Sequence, residues 1–228
     1  MVERKKYCVN GEWRESKTDK WMPVTDSSTG ELLAEVPCCT VDEVESAIAA
    51  AEAAFPAWSQ MSISKRTQMM FKWRDILVNH LDELTLLCSK ELGKSLSEAR
   101  GDVLKAIEPT ELSCATPFIS QGSASLQVTS GFDTATYRVP LAIATGNTVV
   151  LKAASLTPLT SMRILELFYT EGGFPKGVVN LVTCSRNEAE IFLTDPRVKA
   201  VTFVGTTGVG KHIYSVASAN GKRKSNII

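Results

Sequence analysis

The chain has 228 residues, long enough to bury one large or two small hydrophobic cores. Hydrophobic residues make up 44% of it and charged residues 22%, an ordinary globular profile that excludes a low-complexity or membrane-spanning composition. Lys+Arg and Asp+Glu both number 25, so there is no excess basic charge to neutralise phosphates, and no nucleic-acid partner is expected.

Residues 5–36 read as short strands. Asn10-Gly11 marks a hairpin turn, and Thr29-Gly30 separates WMPVTD from ELLAEVPC. Thr40-Val41-Asp42-Glu43 has the form of a capping box, and EVESAIAAAEAAF continues it with helical spacing. Two more helices are expected at Ser64–Asn79 and Leu81–Leu92, with Gly93 ending the second. A fourth, Ser95–Cys114, contains Pro109, which removes a helical N–H and predicts a kink or an early stop. Residues 122–139, SASLQVTSGFDTATYRVP, alternate about Ser130-Gly131 and read as a hairpin of the kind that extends from a domain or serves as an oligomer arm.

From Asn147 the pattern becomes α/β. NTVVLK, GVVNLVT and VKAVTFVG read as apolar strands. Between and after them stand the helices PLTSMRILELFYTEGG, SRNEAEIFLTD and TTGVGKHIYSVASANG, and Ser225–Ile228 begins a fourth strand. That alternation implies a parallel sheet with both faces covered. Three parts are expected: N-terminal strands and helices (1–121), a hairpin arm (122–140) and Rossmann-like βα units (141–228). The basic run Lys222-Arg223-Lys224 reads as a solvated helix end.

Cys8, Cys38, Cys39, Cys88, Cys114 and Cys184 form no C-x-x-C pair, and only His80 and His212 could join them as ligands. Free thiols in a reducing compartment are expected, with no zinc site and no other metal. MVERKKYCVNGEW lacks an apolar signal segment, and no apolar run reaches the roughly 18 residues of a membrane span. The expected location is the cytoplasm.

The sharpest chemical signal is FVGTTGVGKHI, a strand ending at Gly205 and a helix opening with free backbone N–H groups, a geometry that favours a pyrophosphate. The competing reading is a tight strand-to-helix turn with no ligand. Gly205, Gly210 and Lys211 also fit a P-loop, but His212 stands where a hydroxyl should hold magnesium, which disfavours an NTPase. Lys152, ending NTVVLK, is placed either to meet a nucleotide or to stand on a solvated rim. Cys184 follows a strand and precedes a helix, yet has no His nearby in sequence and reads as a structural thiol. Phe55, Trp58 and Trp73 read as core.

Taken together, FPAWSQMSISKRTQMM, ELGKSLSEARGDV, GNTVVLKAASLTPLTSMRILELF, GFPKGVVNLVTC and VKAVTFVGTTGVGKHIY resemble the aldehyde dehydrogenase superfamily. VNGEWRESKTDKW, EARGDVLKAIE, LVTCSRNEAE and ANGKR resemble its methylmalonate-semialdehyde branch. The resemblance covers nearly the whole chain and corresponds to the N-terminal half of such an enzyme. It implies an NAD-binding domain, with NADP also open, and a homo-oligomer formed through the arm. It also implies oxidation of a semialdehyde to an acyl-CoA through a cysteine thioester, with CoA as co-substrate.

By that resemblance Lys152 meets the adenosine ribose, and Ser155 stands where the family usually has a glutamate. Gly205, Thr206, Thr207 and Gly210 form the pyrophosphate turn, and Lys105 takes the place of an arginine facing the substrate carboxylate. Three departures follow from the same comparison. The family's strand and Asn-Phe-Pro loop are missing between Pro140 and Leu141, leaving LAIATGNT as the tail of a helix and removing an oxyanion-stabilising asparagine. None of the six cysteines stands in the nucleophile's motif, and the segment bearing the general base is absent, with Lys224–Ile228 resembling its end. The sequence therefore predicts a dinucleotide-binding piece that is inactive alone. The alternatives are a complete enzyme with residues omitted, a binding or oligomerisation remnant, and a P-loop NTPase.

Overall fold

A computed structural model describes residues 2–119 and 139–227, with the backbone alone for 224–227. The expected hairpin arm falls almost wholly on residues outside the described ones. Its last two positions, Val139 and Pro140, begin a helix instead.

The N-terminal hairpin pairs β1 (Tyr7–Val9) with β2 (Glu12–Arg14). Asn10 at φ 56° and Gly11 at φ 69° supply the two left-handed residues such a turn requires. β3 (Trp21–Thr25) and β4 (Leu32–Pro37) form a separate antiparallel pair. α1 (Val41–Gln60) starts on the expected box: Thr40 accepts from the Glu43 N–H, and Glu43 accepts from the Thr40 N–H. α2 (Ile63–Asn79), α3 (Leu81–Leu92) and α4 (Leu96–Cys114) follow, with Gly93 in the left-handed conformation ending α3. α4 does not stop at Pro109. The helix runs through it, and Thr110 and Ser113 turn their hydroxyls onto the carbonyls of Ala106 and Pro109. A short α5 (Thr116–Ile119) closes this part.

α6 (Val139–Ala144) leads to β5 (Val149–Lys152), then α7 (Leu159–Thr170) and β6 (Val179–Val182). The Trp58 indole donates to the Ile143 carbonyl at 3.0 Å, and Arg66 Nε donates to the Ala144 carbonyl at 3.0 Å, fixing α6 against α1 and α2. The helix expected over SRNEAEIFLTD divides into α8 (Arg186–Ala189) and α9 (Ile191–Thr194). The division falls at Glu190, where bonds three residues apart replace the α-helical ladder. β7 (Ala200–Val204), α10 (Thr207–Ala219) and β8 (Arg223–Ile227) end the chain.

The architecture is α/β, but among the described residues the parallel strands do not form one continuous sheet. One sheet has the order β2-β1-β6-β5, with β5 parallel to β6 and β1 antiparallel to it; β7 and β8 form a parallel pair of their own. Nor are both faces covered everywhere. Ala200, Thr202 and Val204 of β7 are exposed, Val204 by 62%.

The core is aromatic where α1, α2 and α7 meet. The rings of Phe168 and Phe174 stack at 3.8 Å, and Trp73 meets Phe168 edge-on at 5.4 Å. Trp58 and Trp73 are buried as expected, but Phe55 is 45% exposed, on the outer face of α1. Lys222-Arg223-Lys224 is not a helix end: Lys222 is buried, with its ammonium on the carbonyls of Asp195 and Val198, and β8 begins at Arg223.

Candidate nucleotide-binding site

β5 and β6 end side by side, with the Ala153 N–H donating to the Val182 carbonyl at 3.0 Å. Lys152 is exposed at that edge, its ammonium 3.5 Å from the Ala153 carbonyl, and Ser155 is half-buried in the loop leading to α7. α7 is held from below by Glu91 on α3. That buried carboxyl group accepts from the N–H groups of Leu159 (2.5 Å) and Thr160 (2.9 Å) and from the Thr160 hydroxyl. This is a side-chain cap supplied from another helix. The sequence reading missed it because a cap from 68 residues away leaves no local pattern.

The second group stands at the end of β7. Gly205, Thr206, Thr207 and Gly208 are all exposed, and Thr206 is the N-cap of α10, although its side chain makes no capping bond. The helix's first N–H groups therefore lack a side-chain acceptor of their own, and its dipole favours an anion there. A Cβ on Gly208 would meet nothing within 4 Å, so the turn is open to a ligand. At Gly205 a Cβ would lie 2.4 Å from the Phe203 ring, which tucks beneath the turn. Gly210 is buried and closes the first turn of α10 on the Thr206 carbonyl at 2.9 Å.

Lys152 and Ser155 thus share one sheet edge, while Gly205, Thr206, Thr207 and Gly210 belong to the other sheet. Lys105 stands apart on α4, exposed and 3.7 Å from the Asp102 carboxylate. His212, which interrupts the P-loop pattern, is engaged elsewhere: its Nε2 lies 3.0 Å from both carboxylate oxygens of Glu190.

All six cysteines are buried and unbridged. Burial pushes the Cys8, Cys39 and Cys184 thiols up to about 12 and raises those of Cys88 and Cys114. The nearby Lys152 ammonium pulls Cys184 the other way, but burial prevails. These five thiols stay protonated at neutral pH, which is the opposite of what a nucleophile requires.

A surface pocket of about 320 Å³ lies between β4 and α8, lined by Lys17, Lys20, Cys38, Thr40 and Glu188 among others. Glu188 closes a capping box with Ser185 and lies 3.7 Å from the Cys38 thiol. The run Ser185-Arg186-Asn187-Glu188 carries that box in the sequence, where it could have been read. Among the described residues no group of three His, Cys, Asp or Glu could hold a metal ion, and no helix is long and apolar enough to cross a membrane.

Malonate-semialdehyde dehydrogenase of Listeria innocua is 37% identical over 244 aligned positions, covering 97% of this chain and 50% of that protein. A malonate-semialdehyde dehydrogenase of Oceanobacillus iheyensis is 38% identical, over 94% of this chain and 49% of that protein. The crystal structure of methylmalonate-semialdehyde dehydrogenase from Oceanimonas doudoroffii superposes with a TM-score of 0.89 at 32% identity, covering all of this chain and 50% of the other. A methylmalonate-semialdehyde dehydrogenase structure from Sinorhizobium meliloti, complexed with NAD, shares the fold at a TM-score of 0.90 and 24% identity, over 99% of this chain and half of that one. The chain spans about half the length of these relatives. The aldehyde dehydrogenase family matches residues 13–143 and 132–226, so that the β5 edge and the β7–α10 turn both fall within it, and the chain belongs to the aldehyde dehydrogenase family.

Proposed function

We propose that this chain is the nucleotide-cradling portion of an NAD-dependent semialdehyde dehydrogenase and that, by itself, it binds the dinucleotide without oxidising an aldehyde. The observation that carries the reading is the β7–α10 turn: exposed residues at Thr206–Gly208, an N-cap threonine whose side chain makes no capping bond, and open space at Gly208. Such a turn suits a pyrophosphate, with Thr206 and Thr207 as partners and Gly205 and Gly210 allowing close approach. Lys152 and Ser155 take the ribose. Ser155 carries no charge to repel a 2′-phosphate, so NADP is a second candidate on the same edge.

NAD, when bound, accepts the hydride that an aldehyde gives up. The rest of the reaction needs a thiolate to attack the carbonyl, donors to hold the oxyanion, a base, and CoA to receive the acyl group. This chain's buried thiols do not supply the first of these. A malonate- or methylmalonate-semialdehyde is the proposed substrate class, with Lys105 meeting its carboxylate as a single charge in place of a bidentate guanidinium. The remaining proposals are a homo-oligomer formed through the arm and a cytoplasmic location.

The test is NADH formation by the mass-verified 24.8 kDa chain, given methylmalonate semialdehyde, NAD and CoA. No absorbance change is expected. Turnover that co-purifies with the 24.8 kDa mass would overturn the proposal.

A further inference from the structure

The loop between β5 and α7 carries Ser155, and two polar anchors hold it. At its start the Ala153 N–H donates to the Val182 carbonyl at 3.0 Å. At its end Glu91 accepts from the Leu159 and Thr160 amides and from the Thr160 hydroxyl. Among the described residues, positions 154–157 make no hydrogen bond or ion pair of their own. Ala154 and Leu156 are exposed, Leu156 by 76%, so packing restrains the middle of the loop little.

Glu91 is itself fixed in place. It is 1% exposed, and its carbonyl accepts from the Ser27 hydroxyl at 2.5 Å. The Ser27 N–H donates to the Lys90 carbonyl at 3.1 Å, so the turn after β3 grips the end of α3. Gly93 closes α3 against the same turn at φ 66°, where a Cβ would lie 3.0 Å from the Ser27 Cβ. Two oxygens bonded to successive amides fix orientation as well as distance. A rigid path therefore runs from the β3–β4 turn through Glu91 to the head of α7 and the loop that carries Ser155.

We propose that Glu91 is a positioning residue for the nucleotide: by clamping the head of α7 it holds Ser155, next to Lys152, in the orientation that receives the adenosine ribose. The inference rests on the reading of Lys152 and Ser155 as the ribose edge. Without the clamp the loop spreads over many conformations, and only the fraction that matches the ribose binds. The apparent dissociation constant then rises by the inverse of that fraction. The Gly205–Gly210 turn stands on the other sheet and makes no bond to Glu91, so it keeps its affinity for phosphate.

The test titrates the chain with NAD, with adenosine as a probe of the ribose edge and with inorganic pyrophosphate as a probe of the α10 turn, followed by NMR chemical shifts. In Glu91→Gln, which keeps one acceptor oxygen, the adenosine dissociation constant is expected to rise roughly threefold, and in Glu91→Ala about tenfold, with pyrophosphate binding unchanged in both. A nitroxide attached at Leu156→Cys reads the loop without ligand, because the six native thiols are buried, and its spectrum should sharpen in Glu91→Gln. Equal weakening of both probes, unaltered adenosine affinity or an unchanged nitroxide spectrum would overturn the inference alone. If the unaltered chain binds neither NAD nor adenosine, the ribose reading falls and this inference with it. The Glu91→Gln variant and the label decide the matter if Glu91→Ala fails to fold.

Discussion

Removing the Glu91 carboxyl group would strand three donors at the head of α7: the Leu159 and Thr160 amides and the Thr160 hydroxyl. Buried donors left without an acceptor each cost about 1–3 kcal/mol. Glu91→Ala is therefore expected to lower unfolding free energy by roughly 3 kcal/mol in urea titrations, whereas Glu91→Gln, which keeps one acceptor oxygen, loses about half of that. The thiols give a second residue-level expectation. With all six buried, a thiol reagent will find almost nothing to modify in the native chain and six groups in urea. At this scale the sequence was informative where a residue and its partner are neighbours, as in the box of Thr40 and Glu43. It was uninformative where partners are remote. Phe55 looked like core because aromatics usually are, yet it falls on the solvent side of α1, and the fate of Lys222 was decided by the carbonyls of Asp195 and Val198.

Among the elements, α4 shows why Pro109 misled the boundary. Proline withholds one N–H, leaving the Lys105 carbonyl without its helical donor, but packing of α4 against α2 and α3 keeps the helix going past it. Pro109→Ala is expected to stabilise the chain by roughly 1–2 kcal/mol, visible as a higher melting temperature. The corner between α2 and α3 carries a pH dependence. His80 Nδ1 lies 2.7 Å from Glu83 and Nε2 3.0 Å from Glu171 at the end of α7, with Arg163 of α7 also on Glu83. The Glu83 hydrogen bond raises the His80 pKa above 6.5, with Glu171 adding to it against the opposing effect of burial. A raised folded-state value means that the contribution is complete below 6.5 and is lost as the pH climbs through the folded pKa. The urea midpoint is expected to fall as the pH rises above 6.5 and through the raised folded-state value, and His80→Gln should flatten that slope. The Glu83 carboxyl group is held below the ordinary 4.5, first by the Arg163 hydrogen bond, so its contribution is lost only in acid, as the pH falls below 4.5 and through that lowered value.

For the molecule as a whole, strand–helix alternation after Asn147 was enough to read α/β, because apolar strands between amphipathic helices have few other ways to be buried. What alternation could not show was strand order. The division between the β2-β1-β6-β5 sheet and the β7-β8 pair depends on pairing across the chain, and so does the joining of the N-terminal hairpin to β6 through Cys8 and Leu181. The candidate site inherits that division. Its glycines and Thr206 were legible as a local turn, whereas the distribution of Lys152 and the turn over separate sheets was not. Calorimetric titration of the intact chain with NAD tests the central claim most directly. The account predicts saturable one-to-one binding that weakens when Lys152 is replaced by alanine. The absence of any binding heat at millimolar NAD would contradict it.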